Sequence, residues 1–154
     1  MIDLLLPPRV DNTYRGYKLA LWLFGAVILL KLAISIASIF NGYQAASSAD
    51  GIPLETYPAA AAQAVVSLFA LLGVLHLVIC VWCIVVLVRY RALVPFMFAL
   101  LIAEYAARKV ALWVLPIAGR TATPGLAINL AILGVMVVGL ALSLKAANAI
   151  PAPK

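Results

Sequence analysis

Four ionisable side chains, Lys31, Glu104, Arg108 and Lys109, stand inside otherwise apolar runs of this 154-residue chain. Acid and base placed in such runs are the material of an ion pair, a proton-transfer group or an anion site. Glu104 and Arg108 are four residues apart, which stacks them on one helix face and predicts an ion pair. Lys31 and Lys109 are then cations with no carboxylate of their own. Lys109 is turned about 100° from Arg108 around a helix, so reaching for lipid headgroups is its simplest fate. Two readings compete. In the first, Glu104–Arg108 is a structural latch and the lysines snorkel. In the second, the excess positive charge forms a site for a phospholipid headgroup or small anion. A proton or ion path through Glu104 is a third.

The stretch His76-Leu-Val-Ile-Cys80-Val-Trp-Cys83 holds the other reactive groups. A Cys-x-x-Cys spacing brings two sulfurs onto one helical turn and suits redox chemistry. It is similar to the pair in the quinone-coupled disulfide-forming membrane proteins. In that family the pair sits at the outer face, and a second pair relays oxidising equivalents. This chain has two cysteines in all, and the topology below puts them in the inner half of their span. Buried structural thiols are therefore expected, with a redox pair as the alternative. His76 is expected to be a hydrogen-bonded interior residue. A zinc site from His76, Cys80 and Cys83 would lack a fourth ligand, and axial haem ligation would have only methionines for its second ligand. The expectation is no metal and no cofactor.

The elements that must carry these residues follow from composition. Apolar residues make up 67% of the chain, charged residues 10%, and the mean hydropathy is +1.16. An ordinary soluble domain carries about 25% charge, so a soluble domain, a disordered chain and a coiled coil are excluded. The net charge is +6 and the pI about 9.6. That charge is spread over short connections rather than gathered on one face, which argues against a nucleic-acid partner. A helix needs about 20 mostly apolar residues to cross a bilayer. Spans are expected at about 14–40, 59–88, 92–116 and 125–145 of a single transmembrane domain, with a polar, turn-rich outer loop at 41–58. Asp11, Asn12 and Thr13 supply oxygens for the start of the first span, and Pro95 suits the first turn of the third. Short connections predict an all-α, integral membrane four-helix bundle. The start of the chain lacks the basic lead of a signal peptide, so no cleavage is expected.

Basic residues set the orientation. Arg9, Arg15, Lys18, Arg89, Arg91, Lys145 and Lys154 fall on one side of an even-span topology, and Asp50, Glu55 and Arg120 on the other. Both termini are expected in the cytoplasm. Tyr14, Tyr17 and Trp22 then form an inner aromatic belt, and Tyr43, Tyr57 and Trp113 an outer one. A rise of about 1.5 Å per residue puts Glu104 near the midplane. Lys31, Arg108, Lys109 and Asn129 lie roughly 6–9 Å further out, in one shared layer. The inner half offers mainly His76, Cys80, Cys83 and Ser143, with no continuous polar line for conduction.

Small residues at intervals of four, Ala103–Ala107–Ala111, Ala127–Ala131 and Gly139–Ser143, predict close helix contacts within one chain or between two. The loop from Ile39-Phe-Asn-Gly-Tyr to Ser48-Ala-Asp-Gly-Ile-Pro-Leu, with Arg89-Tyr-Arg-Ala-Leu-Val-Pro-Phe-Met, resembles a group of four-span bacterial inner-membrane proteins. The resemblance implies that location and brings no activity with it. No nucleotide-binding, Ser-His-Asp or phosphoryl-transfer motif is present. The leading expectation is a small non-catalytic membrane protein, an accessory factor or one that binds an anionic lipid or another membrane protein. The alternative is a transporter or channel for a small anion or proton-coupled substrate, acting as a homodimer with Glu104 as coupling group. A thiol/quinone redox protein comes third.

Overall fold

A computed structural model of the chain describes Leu5, Pro7, residues 10–117, Gly119 and residues 124–145. Arg9, Arg120, Lys154 and most of the 118–124 connection lie outside the described residues. All regular secondary structure among the described residues is helical. Four long helices dominate: α1 (Lys18–Phe40), α2 (Ala59–Arg89), α3 (Val94–Val114) and α4 (Pro124–Lys145).

Three of them, α1, α2 and the stretch Gly125–Lys145 of α4, are long and apolar enough to cross a membrane. Their outward faces stay apolar: Leu68, Leu71, Leu75, Val78 and Trp82 of α2 are all exposed. A soluble protein seldom leaves a continuous apolar patch of more than a few hundred Å² uncovered. The expected third span differs. It is helical, with Pro95 in its first turn, but Glu104, Arg108 and Lys109 keep it out of that apolar class.

Neighbouring helices run antiparallel. A side chain on Gly73 of α2 would press on the Ser35 carbonyl of α1, and one on Gly25 of α1 would touch Leu87 of α2. Just before the start of α1, the Tyr14 hydroxyl and the Ser143 hydroxyl of α4 are 2.9 Å apart. α1 lies along α2 and α4, and α4 packs in turn on α3. The connection between α2 and α3 is one short turn, Arg91–Leu93, so that end is called the hairpin end. The 41–58 connection marks the loop end.

The two ends are filled differently. Around the hairpin end, Phe24, Val86, Val94, Phe98 and Met136 close into an apolar core. The rings of Phe24 and Phe98 meet edge to face, with centroids 4.9 Å apart and planes at 64°, a favoured aromatic geometry. At the loop end a smaller cluster of Ala46, Ile52 and Leu54 packs on Val66, Phe69 and Ile117. Between the two clusters the helices part around a cavity.

One local expectation is corrected and another gains detail. α1 starts at Lys18, four residues later than the apolar run suggests, and no side chain caps it. Asp11 instead accepts the Thr13 backbone N–H through Oδ1 at 2.9 Å, while Tyr14 turns away to reach Ser143. The polar, turn-rich loop expected at 41–58 is built largely of helical turns. A helical turn at Gly42–Gln44 runs into a π-helical turn at Ala45–Ala49, and Leu54–Thr56 adds a 3-10 turn. Gly51, at φ 71°, reverses the chain after the π-turn, a conformation glycine adopts without a Cβ penalty.

Candidate functional site

Glu104 is the hub of the polar interior. Its carboxylate meets a different helix at each oxygen. Lys31 of α1 donates to Oε2 at 3.3 Å, and His76 Nε2 of α2 stands 3.2 Å from Oε1. Arg108, one turn along α3, approaches Oε1 at 3.8 Å through Nε, beyond hydrogen-bond range. The expected Glu104–Arg108 pairing is therefore present but is the loosest of the three. Lys31 has the carboxylate it was expected to lack.

The backbone holds these groups in place. Ser35, one turn on from Lys31, donates to the Lys31 carbonyl at 2.7 Å. The His76 ring is tethered to its own helix, with Nδ1 2.9 Å from the Leu72 carbonyl. Such i to i−4 bonds fix a ring's direction on its helix and select which nitrogen faces the neighbour.

Lys31, His76 and Arg108 also border the cavity, of about 610 Å³, which runs from their level to the loop end. That volume lies within the roughly 300–1,000 Å³ of small-molecule sites. Asn129 and Met136 of α4 and Tyr105 of α3 complete the floor. Most of the remaining wall is apolar, including Ile34, Phe69, Leu72 and Leu112. Tyr105 is 6% exposed, and its buried hydroxyl has no hydrogen-bond partner among the described residues. Asp50 and Asn41 border the opposite, loop end of the cavity. Asn41 is ten residues along α1 from Lys31, roughly 15 Å.

The shared layer expected from depth thus contains Lys31, Arg108 and Asn129 around one cavity. Lys109 leaves it. Its Nζ sits 5.4 Å from the centre of the Tyr105 ring, and Arg108 approaches the same ring at 5.9 Å. A cation over a tyrosine face is an attractive contact at such distances. Sequence reasoning missed His76 as a partner of Glu104. The available signal was its near-midplane depth, which matches that of Glu104.

Cys80 and Cys83 are free thiols, both buried. Cys83 belongs to the apolar core at the hairpin end, and Cys80 stands beside Ser35. His76 turns from them to Glu104, so the three do not gather as a zinc set. Compared with family models, curated proteins and solved structures, the chain matches none.

Proposed function

We propose that the chain is a four-span membrane protein, with both termini in the cytoplasm of a bacterial inner membrane. It binds an anionic amphiphile in the cavity between its helices and does no chemistry on it. One observation carries the binding reading: Lys31 and Arg108 border an otherwise mostly apolar cavity. Two cations suit an anionic group, and the aliphatic wall suits a chain attached to it. The four-span reading is supported by α3, whose Glu104 charge is met by Lys31 and His76 of the neighbouring helices.

The test is native mass spectrometry of protein released gently from its own membrane. The expected result is a retained anionic lipid species that is lost in Arg108→Ala. Retention unchanged in that variant would overturn the assignment. Binding of decanesulfonate to purified protein separates chain from headgroup: inorganic sulfate bound as tightly would overturn the amphiphile reading.

A second reading, carriage of a small anion coupled to protons, is favoured by the carboxylate–imidazole contact at the cavity floor. A homodimer would enclose more volume for such transport than one chain.

A further inference from the structure

Hydrogen-bond arithmetic at the cavity floor defines the protonation of this site. The Leu72 carbonyl can only accept, so His76 Nδ1, 2.9 Å away, carries a hydrogen. An ionised carboxylate can also only accept. A neutral imidazole with its hydrogen on Nδ1 would turn the Nε2 lone pair onto Glu104 Oε1 at 3.2 Å, placing two acceptors in contact. One further proton removes the conflict. Imidazolium then donates to carboxylate, or carboxylic acid donates to neutral imidazole. The pair therefore holds one shared, titratable proton, and its charge is zero with the proton and −1 without it.

We infer that this proton and the anionic ligand bind cooperatively, the His76–Glu104 pair holding one proton while Lys31 and Arg108 take the anion. This rests on the reading of the cavity as an anion site. The charged groups facing the pair are Lys31 from α1 and Arg108 from α3. Tyr105 on α3 is neutral, Cys80 lies one turn beyond His76 on α2, and α4 contributes the uncharged Asn129. Asp50 borders the cavity at its far, loop end. With the pair deprotonated, Lys31, Arg108 and the pair sum to +1; with it protonated they sum to +2. An added positive charge beside a poorly solvated anion strengthens its binding. By reciprocity the anion holds the proton by the same factor. Loading one monovalent anion with one proton leaves the net charge of the site unchanged from its empty, deprotonated form.

The experiment uses the whole chain in detergent and decanesulfonate, whose charge does not change over the range studied. Calorimetric titrations run from about pH 6 to about pH 9. The dissociation constant is expected to rise about fivefold or more with pH, within the usual range of a coupling between two sites. Titrations in buffers of different ionisation enthalpy should report net proton uptake on binding. His76→Gln is expected to bind with a flat pH profile. Wild-type binding that is independent of pH, with no proton taken up, overturns the coupling and leaves the anion site standing. A pH profile that survives unchanged in His76→Gln also overturns it, since another group would then carry the proton. No binding of decanesulfonate at any pH overturns both the coupling and the anion site.

Discussion

Tyr105 and Glu104 lie one residue apart and have opposite problems. Tyr105 buries a donor with no acceptor among the described residues, whereas Glu104 draws cations from two helices and an imidazole from a third. An unpaired buried hydroxyl costs about 1–3 kcal/mol. Tyr105→Phe is therefore expected to leave thermal stability in detergent equal or higher. A hydroxyl with a stabilising partner would give the reverse, a lower unfolding temperature. Glu104→Gln should be strongly destabilising because it strands Lys31, whose side chain is 12% exposed. Breaking a buried pair in this way costs about 3 kcal/mol or more. Adding Lys31→Met should recover part of that loss in a thermal melt, and a double variant no more stable than Glu104→Gln alone would refute the pairing. Some of this site is legible in sequence. The i, i+4 spacing of Glu104 and Arg108 brings the two within 3.8 Å, and Lys31, Arg108 and Asn129, read at a common depth, border one cavity. The Glu104–Lys31 and Glu104–His76 contacts were not legible, because depth gives height along a helix and not direction around it.

At the level of helices, glycine positions decide how closely the backbones approach. A Cβ on Gly139 of α4 would strike the ring of Phe98, which is fully buried and cannot move aside. Gly139→Ala is expected to lower stability by about 1–3 kcal/mol, the usual range for overpacking, with loss measurable as a lower unfolding temperature. Gly73→Ala presses on the Ser35 carbonyl and should part α1 from α2, disturbing the neighbouring Lys31 with it. Its expected signature is weaker anion binding together with lower stability. The small-residue spacing Gly139–Ser143 marked one of these contacts correctly, and both residues are buried. Ala103, Ala107 and Ala111 have the same spacing yet are exposed, as are Ala127 and Ala131. In an alanine-rich chain, spacing alone does not select the packed face. The difference lies in the partner: Gly139 has Phe98 above it.

For the molecule as a whole, charge and packing are both lopsided along the helix axes. Lys18, Arg89, Arg91 and Lys145 close one end, and Asp50 and Glu55 the other. The basic end is the solid one, and the hollow opens toward the acidic end. A basic end facing the cytoplasm fits the known bias of membrane insertion. Arg91→Cys and Glu55→Cys, each in a Cys80→Ala, Cys83→Ala background, should differ toward an impermeant thiol reagent: the Glu55→Cys thiol reacts in intact cells, the Arg91→Cys thiol only after the membrane is opened. Labelling of both from the same side would refute the orientation. The four helical segments were legible from hydropathy to within a few residues. The cavity was not, because it arises where four helices diverge, and no single segment carries that information.

The Leu72 carbonyl that tethers His76 has one more effect. An imidazole hands protons onward only when one nitrogen can receive while the other gives. Here the second nitrogen is committed to its own helix, so traffic runs through Nε2 alone. A proton arriving along the cavity must leave by the road it came. The floor of this site behaves as a parking place rather than a wire, with an apolar core closing the helices beneath it.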